Sequence, residues 1–358
     1  MRATDVLGGV PGVLTEQEVA TSARHLAGLQ LGSGLIPWFP GGHADPWNHV
    51  ECAMALTVTG HYDAADAAYE WLARNQLGDG SWFNYYLGAA VKDPRLDTNV
   101  CAYVAAGVYH HLVVTGDVDA AAARWPMVER AMDFIVRFQR ADGAVTWSLD
   151  ASGRRESYAL LTGSSSIYHS LRCAVALAER LDHHRPAWEM AAGRLGHAVV
   201  HHPEAFAPKD EFAMDWYYPV LAGAVLADAA HERLDAGWSR YVMDDYGVRC
   251  VSSNDWVTAA ETAETVLALD ALGRRDEALG LLAQTGRHRN DDGSYFTGLV
   301  YPQRVTFPGL ETSSYTAAAI LLAVDAVTDS SAAAGLFRHG VLPDTLDWPE
   351  SGCSLGAI

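Results

Sequence analysis

Carboxylates set beside aromatic rings and amides recur at the starts of successive apolar stretches of the chain. The first such cluster, GGHADPWNHVE, supplies His43, Asp45, Trp47, Asn48 and Glu51. The second supplies Asp97 and Asn99, and the third follows a serine run, Ser164 to Ser166, with Tyr168. The fourth offers Asp215, Trp216, Tyr217 and Tyr218, the fifth Asp255, Trp256, Glu261 and Glu264, and the sixth Glu311 and Tyr315. A carboxyl group enclosed among aromatic rings loses hydration, so its pKa rises and it can donate a proton near neutral pH. Two chemistries use that arrangement. A cation made by protonating an alkene is stabilised by Trp and Tyr faces. A sugar stacks on the same rings while one carboxyl gives a proton and a second attacks or activates water. The catalytic candidates are Asp97, Asp45, Asp255 and Glu311. The candidates for substrate contact are drawn from the other members of these clusters: His43, Trp47, Asn48, Glu51, Asn99, Tyr168, Asp215, Trp216, Tyr217, Trp256, Glu261 and Tyr315. On residue chemistry alone, the mixture at 43–51 is the more suited to a sugar, since a terpenoid cavity should be more apolar.

Helix capping competes with function for four of these carboxylates. Asp45, Asp97, Asp215 and Asp255 all stand where an N-cap would accept backbone amide protons. Glu51, Glu261 and Glu264 cannot be caps, because they fall inside the expected helices.

The elements that must position these residues are legible in repeated landmarks. Gln30 to Gly34, Gln76 to Gly80 and Gln139 to Gly143 share one spacing, and each is followed by a tryptophan, Trp38, Trp82 or Trp147. Arg289, Gly293 and Tyr295 form a degenerate fourth copy. Gly60, Gly116 and Gly273 suit left-handed helix C-caps, each followed by an amphipathic stretch. The longer spacing from Gly116 to Gln139 implies an inserted turn at Trp125 and Pro126.

Small-residue-rich segments at roughly 47–59, 97–115, 164–180, 215–230, 256–272 and 312–327 read as buried helices. Amphipathic segments at roughly 16–30, 62–76, 120–139, 186–201, 232–245 and 274–286 alternate with them. Twelve helices of two alternating kinds specify an all-α (α/α)6 toroid with the polar clusters at one mouth. The toroid is expected to span 1–330 as one domain, with 331–358 as a tail packed on it or partly disordered.

The formal net charge of −19 disfavours nucleic acid or an anionic membrane surface as a partner. Hydrophobic residues make up 49% of the chain, enough for a large core. Cys52, Cys101, Cys173, Cys250 and Cys353 are widely spread with no CxxC pair, which reads as reduced thiols. The N-terminal residues lack the sustained apolar run of a signal peptide or anchor, and the expected location is the cytoplasm.

The segment Ala68 to Trp82, AYEWLARNQLGDGSW, resembles the QW repeat of squalene-hopene cyclases and related triterpene cyclases. The resemblance implies the toroid of the terpenoid cyclase and protein prenyltransferase type, with Gln76 and Trp82 stapling outer helices. It implies isoprenoid-processing chemistry started by an acid, and Asp97, the only carboxylate in Leu96 to Val100, is the counterpart of that family's DxDD acid motif. The zinc site of the prenyltransferases would need a third ligand beside Asp97 and Cys101 that no spacing supplies. No metal or cofactor is therefore expected, and the expected partner is a small molecule, isoprenoid or carbohydrate. The alternatives are a glycoside-processing enzyme with paired carboxylates, most plausibly from among Asp45, Asp255 and Glu311, and a non-catalytic ligand-binding toroid.

Overall fold

The computed structural model describes residues 7–344. An inner ring is built from α2 (Pro46–Val58), α4 (Thr98–Ala102) continued by α5 (Val104–Thr115), α7 (Leu161–Arg180), α9 (Ala213–Leu221), α11 (Ala259–Ala271) and α13 (Ser314–Thr328). The outer ring consists of α1 (Glu16–Gly28), α3 (Tyr62–Asn75), α6 (Val118–Val136), α8 (Pro186–His201), α10 (Ala227–Tyr241) and α12 (Arg275–Thr285). Each inner helix packs on the next, and α13 packs back on α2, so the ring is closed. The (α/α)6 toroid is the observed fold.

Composition decides which helix goes where. The inner α13, SYTAAAILLAVDAVT, is buried over nearly its whole length, as a helix with neighbours on every side must be. The outer α3 buries only one face, with Ala65, Ala68, Tyr69, Trp71 and Leu72. Inner and outer helices alternate along the chain, so the inner helices all start at one end, and the polar clusters gather at that mouth.

The glutamine loops tie neighbouring outer helices together. Gln30 Nε2 donates to Gly34 O and to Ala64 O of α3, both at 2.9 Å. Gln76 Nε2 does the same with Gly80 O and Met127 O of α6, and Gln139 Nε2 with Gly143 O and Ala191 O of α8. Gly80 has φ +98°, and a Cβ there would lie 2.1 Å from Arg130 O, so no other residue fits. The fourth loop closes the circle on α1: Gly293 abuts the backbone of Thr21 and Ser22, Ser22 Oγ donates to Tyr295 Oη at 3.3 Å, and Arg289 lies 3.5 Å from Glu18.

Three local expectations are corrected. The extra residues after Gly116 extend α6, which runs unbroken with Pro126 inside it, rather than forming an inserted turn. The fourth inner helix ends at Leu221 instead of 230, because the left-handed Gly223 (φ +70°) turns the chain, Ala224 N and Val225 N close on Pro219 O, and α10 starts at Ala227. The second inner helix is broken at Tyr103.

Short strands also form where loops meet at the mouth. β1 (Tyr85–Leu87) pairs with β2 (Ala90–Asp93), and β3 (Leu96–Asp97) with β4 (Ser148–Leu149). A five-stranded antiparallel sheet follows chain order through β5 (Val242–Met243), β6 (Gly247–Arg249), β7 (Trp256–Thr258), β8 (Gly298–Val300) and β9 (Val305–Thr306). After α13, Arg338 pairs with Asp270, Phe337 stacks on His169 at 4.7 Å, and Arg172 donates to Leu342 O and Pro343 O. Cys353 and the rest of 345–358 lie outside the described residues.

Candidate functional site

A cavity of about 470 Å³ opens at the mouth, and Asp45, Asp97 and Asp215 share its wall. Asp45 and Asp97 reach it by the same device. Each caps an inner helix, Asp45 accepting from Asn48 N at 3.0 Å and Asp97 from Val100 N at 3.1 Å. Each also accepts an indole N–H on Oδ2, from Trp38 Nε1 at 2.6 Å and from Trp147 Nε1 at 2.5 Å. The strand pairs set these contacts. The bridge of Ala44 to Tyr86 places Asp45 beside Tyr85, and the register Asp97 to Ser148 brings Trp147 onto Asp97. Asp215 is held through Oδ1 by Thr162 N at 3.2 Å and Thr162 Oγ1 at 2.5 Å.

Burial raises all three carboxyls, and the hydrogen bonds only partly offset it. Asp97 is pushed up to about 6. Asn48 Nδ2 gives Asp45 Oδ2 a second donor at 2.6 Å. Both carboxyl oxygens of Asp45 are therefore held, Oδ2 by two side-chain N–H groups and Oδ1 by the Asn48 backbone N–H. Asn99 Oδ1, also on this wall, is buried without a hydrogen-bond partner among the described residues.

Below the aspartates lies a layer of glutamates and tyrosines. Glu51 on α2 and Glu264 on α11 are both buried. Burial first, and then the charges of Glu264, Asp45 and Glu261, hold Glu51 well above the usual carboxylate range. Glu264 is raised by burial and opposed by the Tyr217 hydroxyl, which donates to Oε2, while Tyr218 Oη donates to Oε1 at 3.3 Å. Asp45 and Glu261 thus flank Glu51 from two sides, Asp45 from the N-terminus of α2 and Glu261 from the first turn of α11. Trp47 packs edge-on against Tyr103 and Tyr218 at 5.7 and 5.9 Å, joining the two layers.

The sequence candidates divide by position. Asp45, Trp47, Asn48, Asp97, Asn99 and Asp215 line one cavity. Glu51, Tyr217 and Glu261 belong to the layer beneath, where Glu51 and Tyr217 are buried. His43 and Tyr315 stand at the rim against Trp38, with ring centroids 4.4 and 5.0 Å away. Burial and the Lys92 charge lower the His43 pKa. The remaining candidates are not on the cavity wall. Asp255 is exposed and paired with Arg249 at 3.2 Å, Trp256 donates from Nε1 to Phe307 O on the far side of the five-stranded sheet, and Glu311 accepts from Thr297 Oγ1 at 3.0 Å. Tyr168 packs outward on Gly196 of α8, because only a glycine there leaves room for its ring. Trp216 also turns outward, stacked on Tyr241 and bonded to Arg233 O. Cys101 is turned to Trp82, whose N–H it accepts at 3.3 Å.

Trp38, Tyr85 and Trp147 line the cavity but are absent from the expected contact set. The signal for two of them was present. Trp38 and Trp147 stand eight residues after their glutamines, whereas Trp82 stands six after Gln76 and is sealed in the core, its indole donating to Leu72 O at 2.9 Å.

No protein-family model matches the chain. It is 47% identical over 343 residues to the MMP endo-(1,4)-3-O-methyl-α-D-mannosidase of Mycolicibacterium hassiacum, covering 96% of this chain and 95% of that protein. Solved structures of similar fold include a glycosidase in complex with glucose (TM-score 0.69, 15% identity, 88% of this chain and 98% of that one) and a D-mannose isomerase (TM-score 0.66, 11% identity, 86% and 96%). The GH63 mannosylglycerate hydrolase of Thermus thermophilus matches with TM-score 0.65 at 11% identity over 86% of this chain and 99% of that one. These findings overturn the terpenoid cyclase and prenyltransferase assignment and the isoprenoid chemistry drawn from it. The glutamine and glycine of the repeat that suggested them tie outer helices of a toroid together, and they carry no information about the reaction. No helix among the described residues is long and apolar enough to cross a membrane. By sequence identity along nearly its whole length, the chain belongs to the family of the MMP endo-(1,4)-3-O-methyl-α-D-mannosidase.

Proposed function

We propose that the protein is a glycoside hydrolase that cleaves internal α-(1→4) bonds in a polymer of 3-O-methylated mannose, with Asp45 as proton donor and Glu261 as the second carboxylate. The observation that carries the reading is a polar mouth cavity in a chain of this family, with raised carboxyls beside aromatic faces. A polyene site would leave few dipoles exposed, whereas here Asn48, Asn84, Arg95, Asn99 and Thr162 join three aspartates on the wall. The unpartnered Asn99 Oδ1 suits a sugar hydroxyl. Val100, Leu160, Phe212 and Met214 give the same cavity an apolar side that suits methyl ethers.

Asp45 is chosen over Asp97 and Asp215 because it alone bears on both layers: its charge acts on Asp97 and on Glu51. Trp38 and Asn48 hold its Oδ2 and so fix the orientation of the carboxyl. Glu261 stands in the first turn of α11, another helix of the ring, and a glycosidase places its two carboxyls on opposite sides of the scissile bond. Glu51 and Glu264, both raised by burial and by neighbouring carboxylates, limit the negative charge beneath the sugar.

The test is incubation of the protein with an α-(1→4)-linked 3-O-methylmannose polymer, with product masses as the readout. Internal fragments are expected from the parent, and Asp45→Asn and Glu261→Gln should each lose about 10²-fold or more in rate while keeping the parent's circular dichroism. No fragmentation by the parent would overturn the reading. Fragmentation by the parent with full activity in both variants would overturn the residue roles.

A further inference from the structure

Beside the catalytic cavity lies a second one of about 560 Å³, and the two share Asp215 and Lys209 as common wall. The partition between them is rigid. Asp215 is bonded to Thr162 on the first cavity's side, while Arg233 on the second donates from Nη2 to Asp215 O at 2.6 Å and from Nε to Trp216 O at 2.8 Å. The segment after α8 that lines the second cavity is also anchored. Phe206 bridges to Ala159, Ala207 N donates to Ala159 O at 2.9 Å, and the Tyr241 hydroxyl bonds Asp210 O.

The lining pairs aromatic surface with hydrogen-bonding groups. Trp216 and Tyr241 stack with centroids 5.1 Å apart at an interplanar angle of 17°, and Phe206 lies on the same wall. Arg233 leaves Nη1 unused by its two bonds to the backbone, and Lys209, Asp210 and Glu204 are exposed at the edge. Flat apolar faces ringed by donors and acceptors suit a pyranose, whose C–H face stacks while its hydroxyls bond outward. The mixed charges give no preference for a polyanion, and the shared wall sets the second cavity directly beside the first.

We propose that the second cavity is a remote subsite that holds further sugar units of the same polymer, so that the chain crosses the Lys209 and Asp215 saddle from one cavity to the other. This rests on the hydrolase reading above and extends it to substrate length. Units bound at a distance add affinity only for chains long enough to reach them. Trp216, turned away from the catalytic cavity, then contacts substrate from this side.

The test compares kcat/KM on the intact polymer with kcat/KM on the shortest oligosaccharide that the parent cleaves. Two variants are used: Ala207→Trp, which fills the cavity from a half-buried position, and Lys209→Ala, which removes an exposed side chain from the saddle. The ratio of long to short substrate should fall about tenfold in Ala207→Trp and by a smaller factor in Lys209→Ala. Melting curves confirm that each variant is folded, and Lys209→Ala stands alone if Ala207→Trp is not. A parent-like ratio in the folded variants overturns the subsite and leaves the hydrolase reading intact. A parent that cleaves no such glycan overturns both.

Discussion

The loops after α3 and after α6 share a glutamine, a tight glycine turn and a tryptophan, yet the two tryptophans end in different surroundings. Trp82 is fully buried and bonds the carbonyl of Leu72 in the helix it follows. Trp147, two positions further along the same kind of loop, bonds the carboxylate of Asp97 at the cavity. The other two copies divide the same way: Tyr295 is buried on α1 like Trp82, and Trp38 holds Asp45 like Trp147. In this loop, position six after the glutamine faces the seam between helices and position eight faces the mouth. Ile36 and Val145 fill the seam where the tryptophan has moved outward, and Asn84 and Thr297 take the mouth position where it has not.

That division can be broken experimentally. The largest effect on stability belongs to the seam, where Trp82→Ala should cost about 3 kcal/mol of unfolding free energy, seen in denaturant melts, with turnover per folded molecule kept. Lost turnover at unchanged stability would move Trp82 into the site. A smaller effect sharpens the mouth side. Burial raises Asp97 from 3.8 to about 6, so the folded protein holds that proton more tightly than the unfolded chain. The raised group therefore stabilises the fold only while protonated, and the advantage is lost as pH rises through this window. The melting temperature of the parent relative to Asp97→Asn should fall between about pH 4 and 6 and level off above, where the charge is fully formed. A difference that grows with pH would mean that the Trp147 and Val100 bonds outweigh burial.

The fold was readable in the sequence because its signals are local. Glycine C-caps at Gly60, Gly116 and Gly273, all with positive φ, and one glutamine spacing mark the ends of consecutive helices. The site was readable only in part. Asp45, Asp97 and Asp215 share the cavity wall because inner helix starts face one mouth, and two of them are caps as well. Asp255, Trp256 and Glu311 are not on the cavity wall, and for Trp256 the reason is its place in the five-stranded sheet, where it pairs with Val300. Tyr85 was missed because its approach to Asp45 depends on the pairing of Ala44 with Tyr86, a contact between loops that no periodicity announces. The repeat pointed to the wrong chemistry for a related reason: its glutamines tie outer helices together, and that task is the same whatever the cavity holds.

The most direct measurement is a paired one, turnover on the methylated mannoside polymer and melting temperature for Trp38→Phe and Trp82→Phe. Both changes remove one indole N–H, from Asp45 in one case and from Leu72 O in the other. The account predicts that Trp38→Phe lowers turnover by about tenfold or more with a small change in melting temperature, and that Trp82→Phe lowers the melting temperature with turnover per folded molecule preserved. The reverse pattern, or equal effects on both quantities in both variants, would contradict it.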